Sequence, residues 1–502
     1  MKAVKYIFSV GLVTVLLGSS CKKIADLQQN PSAIYNPNAQ LIFTGILLNI
    51  NESPWSSDHR NNQFMVINES YYGNQAYTWG TGSTAGYDQL RNVLQLESQA
   101  TKLGTLGKPY LALAKFFRAY FFVEMTQMLG EIPMKDALKG RTDAIFQPAY
   151  DPQQTIYKQC LQWLEEANTD ISTQLTQTVG GDFFYGGDLS KWQRLINSYK
   201  LRVLISLSKR AADTPDLNVQ QQFSTIVNNP SKYPLILDNK DNFQLVYNST
   251  TTSNYYPLWP SNGIVVKQDL RNNIGDTYMS ILTSTSDPRV FIVANPTDSA
   301  KNSGDPAYAT KFTSFRGGKT GELQTTLKSQ AVAGKLSTIN FDYWEASPAG
   351  IPNIMFGAAE TEFSIAEAIN RGWITGDAAD HFKKGITASM KFYGVSAGDI
   401  TNYFLVPGNS YIGNNASGLK QILLQKYVAF FENSGRQAYY NFRRTGLPVF
   451  DIGPANGNNN QIPVRWAYPT SEYTTNETNL KASLQRQYAG SDTRNDVMWL
   501  IK

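Results

Sequence analysis

Residues 355–393 read MFGAAETEFSIAEAINRGWITGDAADHFKKGITASMKFY, and their spacing decides the fold. Phe356, Ala359, Phe363, Ala366 and Ile369/Asn370 recur three or four apart, the period of one helix face, and Gly372 stands where that helix should stop. Asp377 is placed to cap a second helix, in which Ala378, Phe382, Gly385/Ile386 and Ser389/Met390 repeat the period. The stretch therefore predicts two amphipathic helices joined by a tight polar turn. Glu360 and Glu367 fall two turns apart on one face while Glu362 points elsewhere. All three glutamates and His381 read as solvated helix positions.

Small and large residues in this pair follow the tetratricopeptide pattern, with Ala366, Ala378, Phe382 and Gly385 in its small, small, aromatic and small places. One such pair cannot bury its own face, so it needs neighbours. The chain offers apolar-periodic segments at Leu41 to Ile50, Tyr87 to Thr101 and Pro152 to Ile171, and a further helix from Ser190, read as its cap. Lys108 to Leu129 and Lys420 to Asn433 are apolar nearly all round, which requires burial by other helices. From Tyr233 to Pro352 the composition turns to Asn, Ser, Thr, Gly and Pro with short alternations such as FQLVY at 243–247. So long an irregular segment points to function. The tail reads as loop, closing on an apolar VMWLI that docks back on the body. The fold class is mainly α: a scaffold of tetratricopeptide-like helix pairs with long irregular loops and a few short strands.

At 502 residues, 42% hydrophobic and 12% aromatic, the chain can build a large core. Charged residues are 17% and the net charge is +5 without a Lys/Arg block, so no nucleic-acid partner is expected. Residues 1–20 read as a bacterial lipoprotein leader: Lys2 and Lys5, an apolar run from Tyr6 to Leu17 too short to span a bilayer, then Gly18-Ser19-Ser20 before Cys21. Leu17 stands four before the cysteine rather than the usual three. The alternative is an ordinary secretory leader with an incidental cysteine. With Cys21 lipidated, Cys160 is the remaining cysteine and no intramolecular disulfide forms. Residues 21–40, polar and holding Pro31 and Pro37, read as a lipidated tether to a single domain, 41–502.

Catalytic constellations are scarce. His59 and His381 are too few for a His-based zinc site or triad, and no ordered ligand spacing supports calcium. Gly80-Thr81-Gly82-Ser83-Thr84-Ala85 matches the dinucleotide fingerprint but follows a polar loop rather than a buried strand. Gly318-Lys319-Thr320 ends like a P-loop, yet Thr313 stands where its first glycine belongs. Glu131, in a GEIP turn, reads as structural. Neither cofactor nor catalytic set is expected, although a glycoside hydrolase needs just two carboxylates and stays the alternative.

Sugar binding asks for other residues: aromatic faces for the C–H side of a ring, and amides or charges for its hydroxyl rim. YYGNQAYTWG at 71–80 has both, with Tyr72, Tyr77 and Trp79 as platforms and Asn74 and Gln75 as partners. YYPLW at 255–259 is a second set, with Tyr255 and Trp259 as candidates. Tyr343 and Trp344 form a third, weighed lower because FDYWE reads as a packed strand.

Several blocks carry a resemblance. They are Cys21 followed by DLQQNPSAI, AKFFRAYFFVEMTQMLGEIPMKDAL (114–138), KWQRLINSYKLRVLISLSKR (191–210), AETEFSIAEAINRGW (359–373) and ILLQKYVAFFENSGRQAYYNFRRTGLP (422–448). In this order and spacing the chain resembles the SusD/RagB family of Bacteroidetes outer-membrane lipoproteins, in its SusD-like type 2 branch. The resemblance implies a lipid-anchored protein facing the cell exterior, a lid over a SusC-type TonB-dependent transporter. It would bind an oligosaccharide or other nutrient and pass it inward without chemistry. A structural lid that contacts its transporter alone is a further reading.

Overall fold

Asn38 accepts the Leu41 N–H and so caps α1 (Ala39–Leu48), which lies against α2 (Gly86–Lys102). The structure, a computed structural model, describes residues 38–50, 53–259 and 272–502, the side chains of Tyr72 and Asn272 excepted. The leader, Cys21 and the tether up to residue 37 lie outside the described residues. α3 (Lys108–Leu129) begins with Pro109 in its first turn and stops at Gly130, whose φ of +100° few other residues tolerate. As its composition requires, α3 is buried on most sides, between α2 and α4 (Gln153–Ser172). α4 packs in turn on α5 (Leu189–Ser206), and α6 (Val219–Asn228) flanks α5. Asp188, not Ser190, caps α5: its carboxylate accepts the N–H groups of Ser190 and Lys191.

In the irregular middle of the chain lies α7 (Asp276–Ser284), with a second helix of equal length at Gln324–Val332. Then come the two helices of the opening stretch, α8 (Ala358–Asn370) and α9 (Ala378–Tyr393), with Asp377 capping α9 as expected. A Cβ on Gly385 would come within 2.8 Å of the Phe363 ring, so the small residue is what lets α8 and α9 close on one another. Phe363, Phe382, Ile386 and Met390 are buried between them, each side chain contributing about 1.5–3 kcal/mol. α10 (Ala416–Ala429) packs on α8 and α9, followed by α11 (Gln437–Thr445). The tail is not loop throughout: α12 (Glu477–Tyr488) interrupts it. Its apolar end docks as expected, with Met498, Leu500 and Ile501 buried and the Leu500 N–H given to Gln153 Oε1 at 2.9 Å.

Two short antiparallel ladders complete the fold. β1 (Met65–Ile67) pairs with a strand at Asn272–Ile274, and a strand at Phe243–Leu245 pairs with one at Asn353–Phe356. FQLVY is thus a strand at its start, and Met355-Phe356 belongs to a strand rather than to the helix that follows. FDYWE, read as a strand, is a short helix at Phe341–Trp344.

The glutamates of α8 are not solvated, and the reason lies on the helices facing them. Glu360 is 3% exposed and forms a two-pronged pair with Arg202 of α5. Glu367 is fully buried, taking two N–H groups from Arg444 of α11 and one from Arg371. Burial alone would raise the Glu367 carboxyl, but Arg444, Arg371 and Lys426 outweigh it and hold the group down at about 2. Glu362 turns to the other side, where its Oε2 lies 2.6 Å from His381 Nδ1. The helical period placed Glu360 and Glu367 on a common face correctly; that face is an interior ionic layer. Glu131 is structural as expected, accepting from Ser483 and Arg486 of α12.

Candidate functional site

Trp55 organises the aromatic surface. Its backbone is left-handed, with φ +63°, and its N–H is held by Glu432 Oε2 at 2.5 Å. Its indole N–H donates to the Tyr256 hydroxyl at 2.7 Å, and its ring meets Trp344 edge-on at 5.0 Å. Trp344 is 2% exposed and gives its indole N–H to Val293 O. Tyr256 is buried as well: its N–H goes to Pro348 O at 2.7 Å, and Gly350 lies so close that a Cβ there would reach the ring at 2.2 Å. These buried rings form a floor. Next to Tyr256 along the chain, Tyr255, Leu258 and Trp259 are half-buried, and Tyr343 lies beside Trp344 at 4.9 Å.

The loop that carries them is braced by its own amides. Asn248 N–H donates to Asn254 O, and the Thr250 N–H and hydroxyl both reach Asn248 Oδ1. A turn closed by Trp259 N–H to Tyr256 O at 2.8 Å sets the position of Trp259 against Tyr256. Half-exposed rings on a braced loop lose little freedom when a ligand stacks on them.

The first predicted loop behaves differently. Tyr77 is 4% exposed; its hydroxyl bonds to Asp451 O and receives Gln63 Nε2 at 2.7 Å, so it is a buried anchor and not a platform. Trp79 is half-buried, with one face stacked on Trp466 at 4.8 Å and Tyr439 edge-on at 4.9 Å, so only part of the indole is left for a ligand. Asn74 is exposed and its Oδ1 takes the Ala76 N–H, while the Gln75 amide is engaged by Met65 O and Ile67 N–H. Tyr72 closes a short helical turn, Ser70–Tyr72, and its neighbour Tyr71 is 87% exposed. Because β1 runs antiparallel to Asn272–Ile274, Ile67 and Asn272 stand opposite one another at one end of the ladder. Of the predicted rings, Tyr255 and Trp259 are thus half-exposed, while Tyr77 and Trp79 pack inward; the Tyr72 side chain lies outside what is described. Sequence reasoning missed Trp55 as the link between sets, since the signal, one Trp after Pro54, does not say which ring it will meet.

Gly82 explains the glycine-rich match: a Cβ there would strike Leu129, Met128 and Trp466, and its N–H pairs with Ala467 O. His59 is 1% exposed, and burial holds its imidazole down at about 3; its neighbour Glu432, 3.7 Å away, is pushed by burial up to about 8. Among the described residues no group of His, Cys, Asp and Glu could hold a metal. Cys160 is a buried free thiol. A wider groove of about 600 Å³ between α4 and α6 has amides along its wall and Tyr233, itself buried, as its ring, so it offers no stacking face.

A model of the SusD-like type 2 family, described as starch-binding and associating with outer membrane, matches residues 28–469. A SusD homologue from Bacteroides fragilis is 29% identical, with a TM-score of 0.84 over 93% of this chain and 100% of that one. An outer-membrane protein from Bacteroides vulgatus, described as involved in nutrient binding, is 32% identical, with a TM-score of 0.81 over 93% and 100%. A chitin-binding SusD homologue from Flavobacterium johnsoniae shares the fold at 21% identity, with a TM-score of 0.71 over 92% and 98%. None of the curated proteins matches. The helix-pair scaffold, its order of elements and these matches together show that the chain belongs to the SusD-like family.

Proposed function

We propose that this protein is a lipid-anchored, outward-facing outer-membrane protein that captures an oligosaccharide and delivers it to a SusC-type TonB-dependent transporter without chemistry. The observation that carries the reading is that Tyr255 and Trp259 stay half-exposed on either side of Tyr256, which is itself fixed in the buried Trp55–Tyr256–Trp344 cluster, in a chain of a family described as starch-binding. A sugar ring lays its C–H face on such an indole or phenol, excluding water from both, while its hydroxyls bond to amides at the edge. Asn248 and Asn254, close in the chain to Tyr255, would supply such amides.

Binding without catalysis is supported by what the acids do. Glu360, Glu362 and Glu367, the carboxylates of α8, are each tied to Arg or His partners within the scaffold. The test is incubation of the purified protein with starch, chitin and plant oligosaccharides, followed by affinity electrophoresis and product chromatography. Retardation by at least one glycan with no new products is expected. Product release would contradict the non-catalytic reading, and no retardation by any glycan would contradict the sugar-binding one.

A further inference from the structure

Glu432 and Trp55, 377 residues apart in the chain, meet with both backbones in the left-handed region, at φ +53° and +63°. Neither is a glycine, so each conformation persists only where its surroundings hold it. Trp55 is held at both ends. Its N–H is bound by Glu432 Oε2 at 2.5 Å, and its indole N–H donates to the Tyr256 hydroxyl at 2.7 Å. Tyr256 O accepts the Trp259 N–H at 2.8 Å, and Tyr255 precedes Tyr256 directly. A chain of bonds thus runs from a carboxyl just after α10 to the two half-exposed rings.

An amide would serve as well to accept one N–H. Glu432 instead buries a carboxyl, 2% exposed, beside the rings of Trp55, Trp344 and Phe431. Its Oε1 has no hydrogen-bond partner, and neither has Nδ1 of the buried His59, which lies 3.7 Å from Oε2. No Lys or Arg among the described residues acts on the carboxyl: burial pushes it up to about 8, opposed by the Trp55 N–H alone. The Tyr256 and Tyr393 hydroxyls, whose own titration burial pushes up, also face it, and Asp58, next to His59 in the chain, is paired with Arg436. Burial holds His59 down at about 3, so between about pH 3 and about 8 the pair carries one proton. What a carboxyl adds over an amide is that this proton can leave. The charge left behind has no cation to answer it and is stabilised by reaching water.

We propose that Glu432 is a positioning residue for the ligand surface: protonated, it holds Trp55 and through Tyr256 fixes where Tyr255 and Trp259 stand; ionised, it withdraws toward water and frees them. The closed cluster binds the proton more tightly than an exposed carboxyl does. It is therefore fully favoured below about pH 4.5 and loses ground to the open form as pH rises through about 8. The effect on affinity rests on the sugar-binding reading, whereas the link from Glu432 to residues 255–259 is a property of the protein alone.

Hydrogen exchange of the purified protein without glycan tests that link, read by mass spectrometry over residues 248–259 and corrected for the intrinsic rate at each pH. Between about pH 6 and about pH 8, protection should fall by up to roughly tenfold per pH unit in the wild type. It should stay level in Glu432→Gln, which keeps an oxygen for the Trp55 N–H and cannot ionise. Tyr256→Phe removes the middle hydroxyl and should abolish the pH dependence at 255–259 while leaving it at Trp55. A purely structural role for Glu432 would change the level of protection in the variants without separating their pH profiles. Wild-type protection that does not vary with pH, or that varies equally in Glu432→Gln, would overturn the proposal. In calorimetric titration over the same pH range, the affinity of a bound glycan should weaken in the wild type and stay constant in Glu432→Gln; equal profiles would overturn the effect on binding. If no glycan binds, the sugar-binding reading fails, and the exchange profiles still decide whether Glu432 controls the segment.

Discussion

Glu367→Gln tests the ionic layer most severely. The side chain keeps its shape, but its Oε2 position, which accepts Arg444 Nη2 at 3.0 Å, becomes an NH2 facing another donor, and Arg444 is left 5% exposed with no carboxylate. The carboxyl lies at about 2 against an ordinary 4.5; that gap corresponds to roughly 3 kcal/mol. Breaking a buried pair costs about 3–5 kcal/mol by independent reckoning, so the two agree in size. Because the folded pKa is depressed, this stabilisation is complete above the ordinary carboxylate range and is lost as pH falls from about 4.5 toward about 2. Urea unfolding followed by tryptophan fluorescence and circular dichroism should place the variant about 3 kcal/mol below wild type at neutral pH, with the difference shrinking as pH drops below about 4. A difference under about 1 kcal/mol at neutral pH, or one that does not change on acidification, would refute the reasoning.

Other parts of the scaffold make separate predictions. Gly385→Leu pushes a side chain into the Phe363 ring, 2.8 Å from where a Cβ would stand, and should destabilise by about 1–3 kcal/mol in the same urea assay. Glu432 has a carboxyl raised by burial to about 8, so wild-type stability falls as pH rises from about 4.5 through 8, and Glu432→Gln should be the more stable protein above that range by thermal melting. Trp55→Phe deletes the bond to the Tyr256 hydroxyl and leaves that buried group unpaired, which should cost about 1–3 kcal/mol and weaken glycan binding without any change at Tyr255 or Trp259.

The scaffold was legible because helices announce themselves through period. Phe363, Ala366, Phe382 and Gly385 have that period and also the sizes that let two helices touch. Burial of charge was not legible, for a local pattern cannot name the opposite wall. Glu360 meets an arginine 158 residues away and Glu367 one 77 away. The same holds for the rings: Tyr71 is 87% exposed and Tyr77 4%, in one loop of similar composition, because Gln63 and Asp451 happen to receive the second. The family blocks now have a physical meaning. Arg202, Glu360, Glu367, Lys426, Arg443 and Arg444 all sit in them, so the stretches that carry the resemblance are those that build the ionic layer, while the loop proposed to hold a ligand, with Tyr255 and Trp259, lies between them.

The measurement that reaches the central claim is calorimetric titration of wild-type protein, Trp259→Ala and Tyr255→Ala with a panel of starch, chitin, plant and host oligosaccharides. At least one glycan should bind wild type, and its affinity should fall roughly tenfold or more, about 1.4 kcal/mol, in Trp259→Ala, with melting temperature unchanged. Heat from none of the panel, or a bound glycan whose affinity is the same in both variants, would contradict the assignment of Tyr255 and Trp259 as the ligand platform.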